Sequence, residues 1–419
     1  MAEPSPRVWV LSDWYDDWDH GLVPNRVMPF VIDIGQAELD DLIDRLHRTR
    51  WPEPTTVGDW SQGVPLDYLQ RLCTYWAEGY DWRATNARLD HIPQFVTTID
   101  GLAIHFVHVR SPHPRALPLL MTHGWPGSFL EFEQTLGPLT DPTAYGGNAD
   151  DAFDVVVPSL PGYGFSGRPA SAGWDIHRIA RAWAELMTRL GYCRFLAEGS
   201  DWGTSVSTSL ALQHPDRLLG IHLVPPLAAP DRNTGDLTDI ERAALAALDE
   251  RTRTGSGYSA EHGTRPQTIG YSLLDSPVGL CAWIVEKLWT WTDHDGDLDQ
   301  VLTRDQILDN ITLYWLTGTG ASSARLYWES IAQVTEWFTT ATDDTIAVPT
   351  GCSVFPKEIP APSRRWAQRR FTNIVYWGEP NRGGHFAAWE QPELFIDEVR
   401  AVARHLPNAE LADNRPNPA

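Results

Sequence analysis

Phe195-Leu196-Ala197-Glu198 runs straight into Gly199-Ser200-Asp201-Trp202-Gly203, the Gly-x-nucleophile-x-Gly spacing of a sharp turn from a strand into a helix. Its central position, where esterases with this pattern carry serine, holds Asp201. A carboxylate displayed on such a turn attacks saturated carbon by displacement and leaves an ester on the protein itself. The matching electrophiles are strained or activated alkyl compounds, epoxides foremost.

That ester is a dead end until water hydrolyses it, so the chemistry requires a base. The chain has 14 histidines, and a lone histidine is more often structural. His385 is singled out by its setting in Arg382-Gly383-Gly384-His385-Phe386, a glycine-rich segment after the last expected strand and just before the closing helix. A carboxylate must hold its tautomer, in the chain order nucleophile, acid, histidine. Glu358 follows the strand expected to end near Thr350 and is preferred; Glu379 is the rival, on what reads as the histidine's own loop. Water attack on the Asp201 carbonyl collects negative charge there, so two backbone N–H donors must face it. His123-Gly124-Trp125-Pro126-Gly127-Ser128, directly behind an expected strand, offers the N–H of Trp125, and the elbow offers that of Trp202. No metal or organic cofactor enters this scheme.

These residues need a scaffold. Short apolar runs at 117–122, 153–159, 195–198 and 219–224 read as buried parallel strands, with a helical pattern at 176–190 between them. Strands alternating with helices mean an α/β fold with a mostly parallel, doubly wound sheet. Upstream, Leu39, Leu42, Ile43 and Leu46 recur at helical spacing and stop before Trp51-Pro52, and a second amphipathic stretch at Leu69, Leu72, Cys73 and Trp76 is closed by Gly79. Runs at 95–99 and 102–108 flank Asp100-Gly101, a hairpin-turn dipeptide. From about 228 the pattern becomes tryptophan-rich and helical, including 278–291 and 307–331. Strand-like runs resume at 345–350 and 373–377, and a last helix covers 393–405. The expected division is an N-terminal extension (1–94), the first part of the core (95–227), an inserted helical cap (228–344) and the second part of the core (345–419).

With 419 residues, 42% of them hydrophobic and 21% charged, the chain can build one large core with insertions. A net charge of -22 disfavours nucleic acid and anionic membrane surfaces as partners, and an uncharged small molecule plus water fits better. Cys73, Cys193, Cys281 and Cys352 form no CxxC pair, which reads as reduced, mostly buried thiols. The first 30 residues carry the Asp16-Asp17 pair and no apolar run of signal or span length, so a soluble cytoplasmic protein is expected. The extension offers surface for a homodimer. Twenty tryptophans leave many aromatic side chains to line a pocket or fill a core.

The chain resembles an α/β-hydrolase-fold epoxide hydrolase of the microsomal type. The likeness rests on Thr49-Arg50-Trp51-Pro52, the HGWPGS segment, the Asp201 elbow, Asp275-Ser276-Pro277-Val278-Gly279-Leu280, Tyr314-Trp315-Leu316-Thr317-Gly318-Thr319, Phe355-Pro356-Lys357-Glu358 and the His385 loop, seven motifs in the family's order. The resemblance implies that Glu358 is the triad acid and that Tyr327 is a cap tyrosine protonating the epoxide oxygen. It also implies a second cap tyrosine, and in the helix expected to carry it this chain has Trp283, whose indole N–H can orient an oxygen without surrendering a proton. Tyr271 is the candidate substitute. The N-terminal membrane anchor that the resemblance implies for some relatives is not expected here. Three rivals stand beside this reading. Haloalkane dehalogenation shares the triad but needs no proton from a tyrosine; an acyl hydrolase would have to use Ser200 or Ser205, neither of which is central in the elbow; an inactive binding protein would be expected to lack a triad member.

Overall fold

In the segment Leu117–Thr122, Leu120 joins one apolar cluster with Trp183, whereas Leu119 and Met121 join another with Phe132 and Phe395. A strand buried on both faces needs a helical layer on each side. The computed structural model, which describes residues 26–232, 235–340, 344–358 and 361–406, has that layered architecture throughout. The Asp16-Asp17 stretch, the beginning of the expected extension and the last thirteen positions of the chain lie outside the described residues.

The strands are β1 (Met28–Pro29), β2 (Gln94–Ile99), β3 (Leu102–Val109), β4 (Leu117–Thr122), β5 (Phe153–Pro158), β6 (Phe195–Ser200), β7 (Leu218–Val224), β8 (Thr350–Ser353) and β9 (Ile374–Gly378). They lie in the order β1-β2-β3-β5-β4-β6-β7-β8-β9. Pairing is antiparallel from β1 to β5 and parallel from β5 to β9, so the fold is an α/β-hydrolase sheet with β6 near its centre. The β2–β3 hairpin turns at Asp100 and Gly101, both at positive φ (53° and 77°), as the dipeptide requires.

Helices α1 (Gln36–His47), α2 (Leu66–Glu78) and α3 (Trp82–Leu89) precede the sheet. Next, α4 (Glu133–Thr140), α5 (Ile176–Arg189) and α6 (Trp202–Gln213) connect its strands. Between β7 and β8 the chain leaves the sheet as α7 (Asp239–Thr254), α8 (Gly257–Thr264), α9 (Pro266–Asp275), α10 (Pro277–Trp291), α11 (Arg304–Leu316) and α12 (Gly320–Thr339). Short α13 (Arg364–Ala367) and α14 (Ala387–Glu390) and the longer α15 (Pro392–Arg404) complete the core. No single described helix is long and apolar enough to cross a membrane.

Three elements differ from expectation. The strand read at 345–350 begins only at Thr350, because Pro349 has no N–H to give to a ladder and Ile346 makes one isolated bridge to Phe371. The stretch 307–331 is two helices, α11 and α12, separated where Gly318 adopts φ 59°. Helix α3 shows little apolar periodicity and starts instead from Asp81, whose carboxylate accepts the Arg83 N–H. Of the four thiols, Cys73, Cys281 and Cys352 are buried and Cys193 is exposed.

Helix α11 ties the preceding helices to the core. Its Asp309, buried to 3% exposure, accepts from Tyr80 (2.8 Å), Thr85 (2.6 Å) and Arg88 (2.5 Å), and its Thr312 accepts from the Trp76 indole at 2.9 Å. One turn along, Asn310 and Tyr314 donate to the carbonyls of Pro126 and Gly127, both at 2.8 Å. The loop that carries Trp125 is thus held from above by the same helix that anchors the extension. Asp309→Ala strands three donors at once and should lower unfolding free energy by about 2–3 kcal/mol in urea titrations, since hydrogen bonds to a charged acceptor are worth that much. A loss under about 0.5 kcal/mol, the range of ordinary surface substitutions, would show that the strap carries no load.

Candidate active site

β6 ends at Ser200 and α6 begins at Trp202, so Asp201 turns the chain alone, at φ 52° and ψ -119°. A non-glycine residue seldom holds positive φ, and such strain persists only where the surroundings enforce it. Here the enforcing feature is closeness. A Cβ on Gly203 would lie 1.8 Å from the Thr122 carbonyl oxygen, and one on Gly199 would lie 2.1 Å from that of Gly203. On Gly124 it would stand 2.2 Å from the Asp201 side chain.

The Asp201 carboxylate is gripped from two sides. Oδ1 accepts the Trp125 N–H at 2.8 Å, and the N–H of Trp202 also favours the charged form. Oδ2 lies 3.3 Å from His385 Nε2. Burial alone would push this carboxyl group up, but the imidazole and the two N–H donors outweigh it and hold its pKa below the ordinary value. On the far side of the ring, Nδ1 is 2.9 and 3.1 Å from the two oxygens of Glu358. Burial pulls the imidazole down, yet Glu358 and Asp201 together raise it to about 10. Nε2 is buried and makes no well-aligned hydrogen bond. Of the two acids that chain order allowed, Glu358 is the one that meets the histidine. Glu379 is exposed and accepts from the Trp377 indole at 2.9 Å.

The histidine loop is clamped by backbone contacts. His385 N–H donates to the Trp291 carbonyl at 2.9 Å, and Glu390 accepts from the N–H groups of Asp293 (2.7 Å), Gly384 (3.0 Å) and Phe386 (2.9 Å). Buried Glu390 is pushed up to about 7, and Glu131, buried beside Gly127, to about 8. Neither was singled out in the sequence, since a carboxyl group under a loop leaves no pattern.

Above Asp201 stand two phenols. Tyr327 packs edge-on against the Trp202 ring (4.7 Å between centroids), and Tyr258 stacks on the Trp125 ring (5.0 Å, 9° between planes). Their own rings are 5.7 Å apart, and burial raises the pKa of both, so both stay protonated. Each tryptophan that aims its backbone N–H at the carboxylate thus seats one phenol with its side chain. Asp201, Trp202, Tyr258, Tyr327, Glu358 and His385 all border one cavity of about 270 Å³.

Two expected side chains stand elsewhere. The Trp283 indole N–H is spent on His262 Nε2 at 2.9 Å, and Trp283 does not border the cavity. Tyr271 is 69% exposed on α9 and also lies outside it. The second cavity tyrosine is Tyr258, on α8, ahead of the helix where sequence reasoning looked for it. Its one signal in the sequence was the four-residue spacing to His262, which puts an aromatic pair on one helical face.

Residues 27–132 match the family described as "Epoxide hydrolase N terminus", and residues 118–274 match the "alpha/beta hydrolase fold" family. The chain is 52% identical to a Stigmatella aurantiaca protein provisionally named an epoxide hydrolase, over 91% of this chain and 85% of that one. It is 36% identical to epoxide hydrolase 1 of Sus scrofa, over 96% of this chain and 94% of the relative. Among solved structures, Aspergillus niger epoxide hydrolase superposes with a TM-score of 0.81 at 32% identity, covering 92% of this chain and 97% of that one.

Glu358 is the largest influence holding the imidazole proton, so Glu358→Gln should move the His385 titration downward from about 10 toward its ordinary 6.5. The raised value makes the imidazolium a stabilising group at low pH. Its contribution is complete below about pH 6.5 and is lost as pH rises toward about 10. In the variant that loss comes earlier. Histidine NMR titration with pH-dependent unfolding reads both, and an unmoved midpoint would mean that Glu358 does not govern the ring.

Proposed function

The chain belongs to the epoxide hydrolase family, and from that premise we propose that it opens epoxides in two steps through an ester on Asp201. The observation that supports this most is the Asp201 carboxylate, bound at one oxygen by the Trp125 N–H, facing His385 with the other, and covered by two protonated phenols.

In the first step Asp201 Oδ2 displaces the oxirane oxygen from one ring carbon. Tyr327 and Tyr258 bind that oxygen, and one phenol delivers the proton as negative charge develops, which is how general acids lower such a barrier. Alkylation removes the charge of Asp201 and with it part of what held the His385 proton. The imidazolium then returns its proton to the phenolate and becomes a base. In the second step His385, oriented by Glu358, deprotonates a water that attacks the Asp201 carbonyl carbon. The N–H groups of Trp125 and Trp202 take the oxyanion charge; on collapse the departing alkoxide takes the proton of the new carboxyl group, so a vicinal diol leaves and the Asp201 carboxylate and His385 imidazolium are restored. The protons balance within the site.

The cavity's apolar wall, with Leu227, Val334 and Phe338, suits a bulky, aromatic epoxide. Dehalogenation fits less well, because a halide departs without a proton and would leave two buried phenols without a task. A cytoplasmic setting accords with the net charge of -22.

Single-turnover hydrolysis of styrene oxide in heavy-oxygen water should place the label in the Asp201 carboxylate and give unlabelled diol. Label appearing at once in the diol means direct attack by water and overturns the ester route. Tyr258→Phe should slow alkylation roughly a hundredfold, the lower end of the usual range for a positioned proton donor, because Tyr327 remains. Trp283→Phe should change it far less, and a reversed ranking by stopped-flow fluorescence would return the second donor to Trp283.

A further inference from the structure

The charged residues bordering the cavity are Asp201, His385, Glu358 and Arg251. The first three satisfy one another. Arg251 has no such partner: among the described residues no carboxylate pairs with it, although the chain has 55 acidic side chains against 33 basic ones. Its guanidinium is held over the Trp291 ring, 5.2 Å from the centroid, and that ring is 5.0 Å from the His385 ring. The cation therefore lies within about 10 Å of the catalytic imidazole.

The cavity wall is mixed in character. On the side of α7 and α8, Arg251 and Ser259 stand with Leu248, while α12 presents Val334 and Phe338 with Thr335. An apolar wall interrupted by hydroxyls and one cation suits an amphipathic molecule. The guanidinium sits over the Trp291 ring and beside the Tyr258 phenol, and with five N–H donors it keeps enough of them to meet a carboxylate. We propose that Arg251 is a specificity site for an anionic group of the substrate, and that this enzyme prefers epoxides carrying a carboxylate a short distance from the oxirane.

This rests on the epoxide-opening reading above and adds to it the class of substrate. An anion entering the site meets the negative charge of Asp201, and Arg251 is the group that offsets it. The guanidinium also lies near the Tyr258 phenol, so the competing role for Arg251 is service to the proton donor alone. The two roles separate cleanly, because one discriminates between substrates and the other does not.

The test compares 4-oxiranylbenzoate with 4-oxiranylbenzamide, equal in size and differing in charge, on the native chain and on Arg251→Gln. The native enzyme should favour the benzoate in kcat/KM by about tenfold or more at low ionic strength, with the preference shrinking as salt rises. In Arg251→Gln the benzoate should fall at least about tenfold further than the benzamide, and Arg251→Lys should restore part of the difference. Absence of a benzoate preference in the native enzyme overturns the inference, and so does an equal loss on both substrates in the variant. The native measurement decides even if the variant does not fold. Turnover of neither compound by the native chain overturns the epoxide reading itself, whereas equal turnover of both leaves that reading standing and removes only this one.

Discussion

A carboxylate has to stay ionised while most of its water is stripped away. Desolvation works against Asp201, and two neighbouring loops answer it with the Trp125 N–H at 2.8 Å and the His385 imidazole at 3.3 Å. Those donors hold the charge yet leave the residue bordering the cavity, as the proposed attack requires. The grip has to be geometric as well as electrostatic. Asp201 sits at a positive φ that only the bare flanks of Gly199, Gly203 and Gly124 make room for.

The same charge sets the state of the histidine. While Asp201 is ionised, His385 is held as an imidazolium between two carboxylates and is no base. On the proposed ester route, alkylation removes one of those carboxylates, which lets the ring release its proton and take another from water. On that route one pair of side chains orders the two chemical steps. Burial keeps both phenols protonated, as the proposed ring opening requires of its proton donor.

Support for the site converges on a few residues with two tasks each. Trp125 and Trp202 give N–H groups to the carboxylate and ring faces to the tyrosines. Trp291 accepts the His385 N–H with its carbonyl and presents its ring to Arg251. Helix α11 fastens α2 and α3 through Thr312 and Asp309, and the Trp125 loop through Asn310 and Tyr314. A chain with 20 tryptophans can build an aromatic floor this way because the indole combines large contact area with a backbone free to turn.

Much of this was legible in the order of residues. The elbow, the HGWP loop and the histidine loop are local, so spacing alone located Asp201, Trp125, Trp202 and His385, and apolar runs located the strands that carry them. Chain order allows both Glu358 and Glu379, and the place of Glu379 on the histidine's own loop favours Glu358, but only the fold puts the Glu358 carboxylate against Nδ1. The second phenol could not be reached in that way. Tyr258, Tyr271 and Trp283 sit in neighbouring helices whose sequences do not say which way each faces. That is decided by how α8, α9 and α10 cross one another over the sheet, which buries Tyr258 against Trp125, exposes Tyr271, and gives the Trp283 indole to His262. Local turns are written in consecutive residues, whereas the facing of a cap helix is a sum over contacts far apart in the chain.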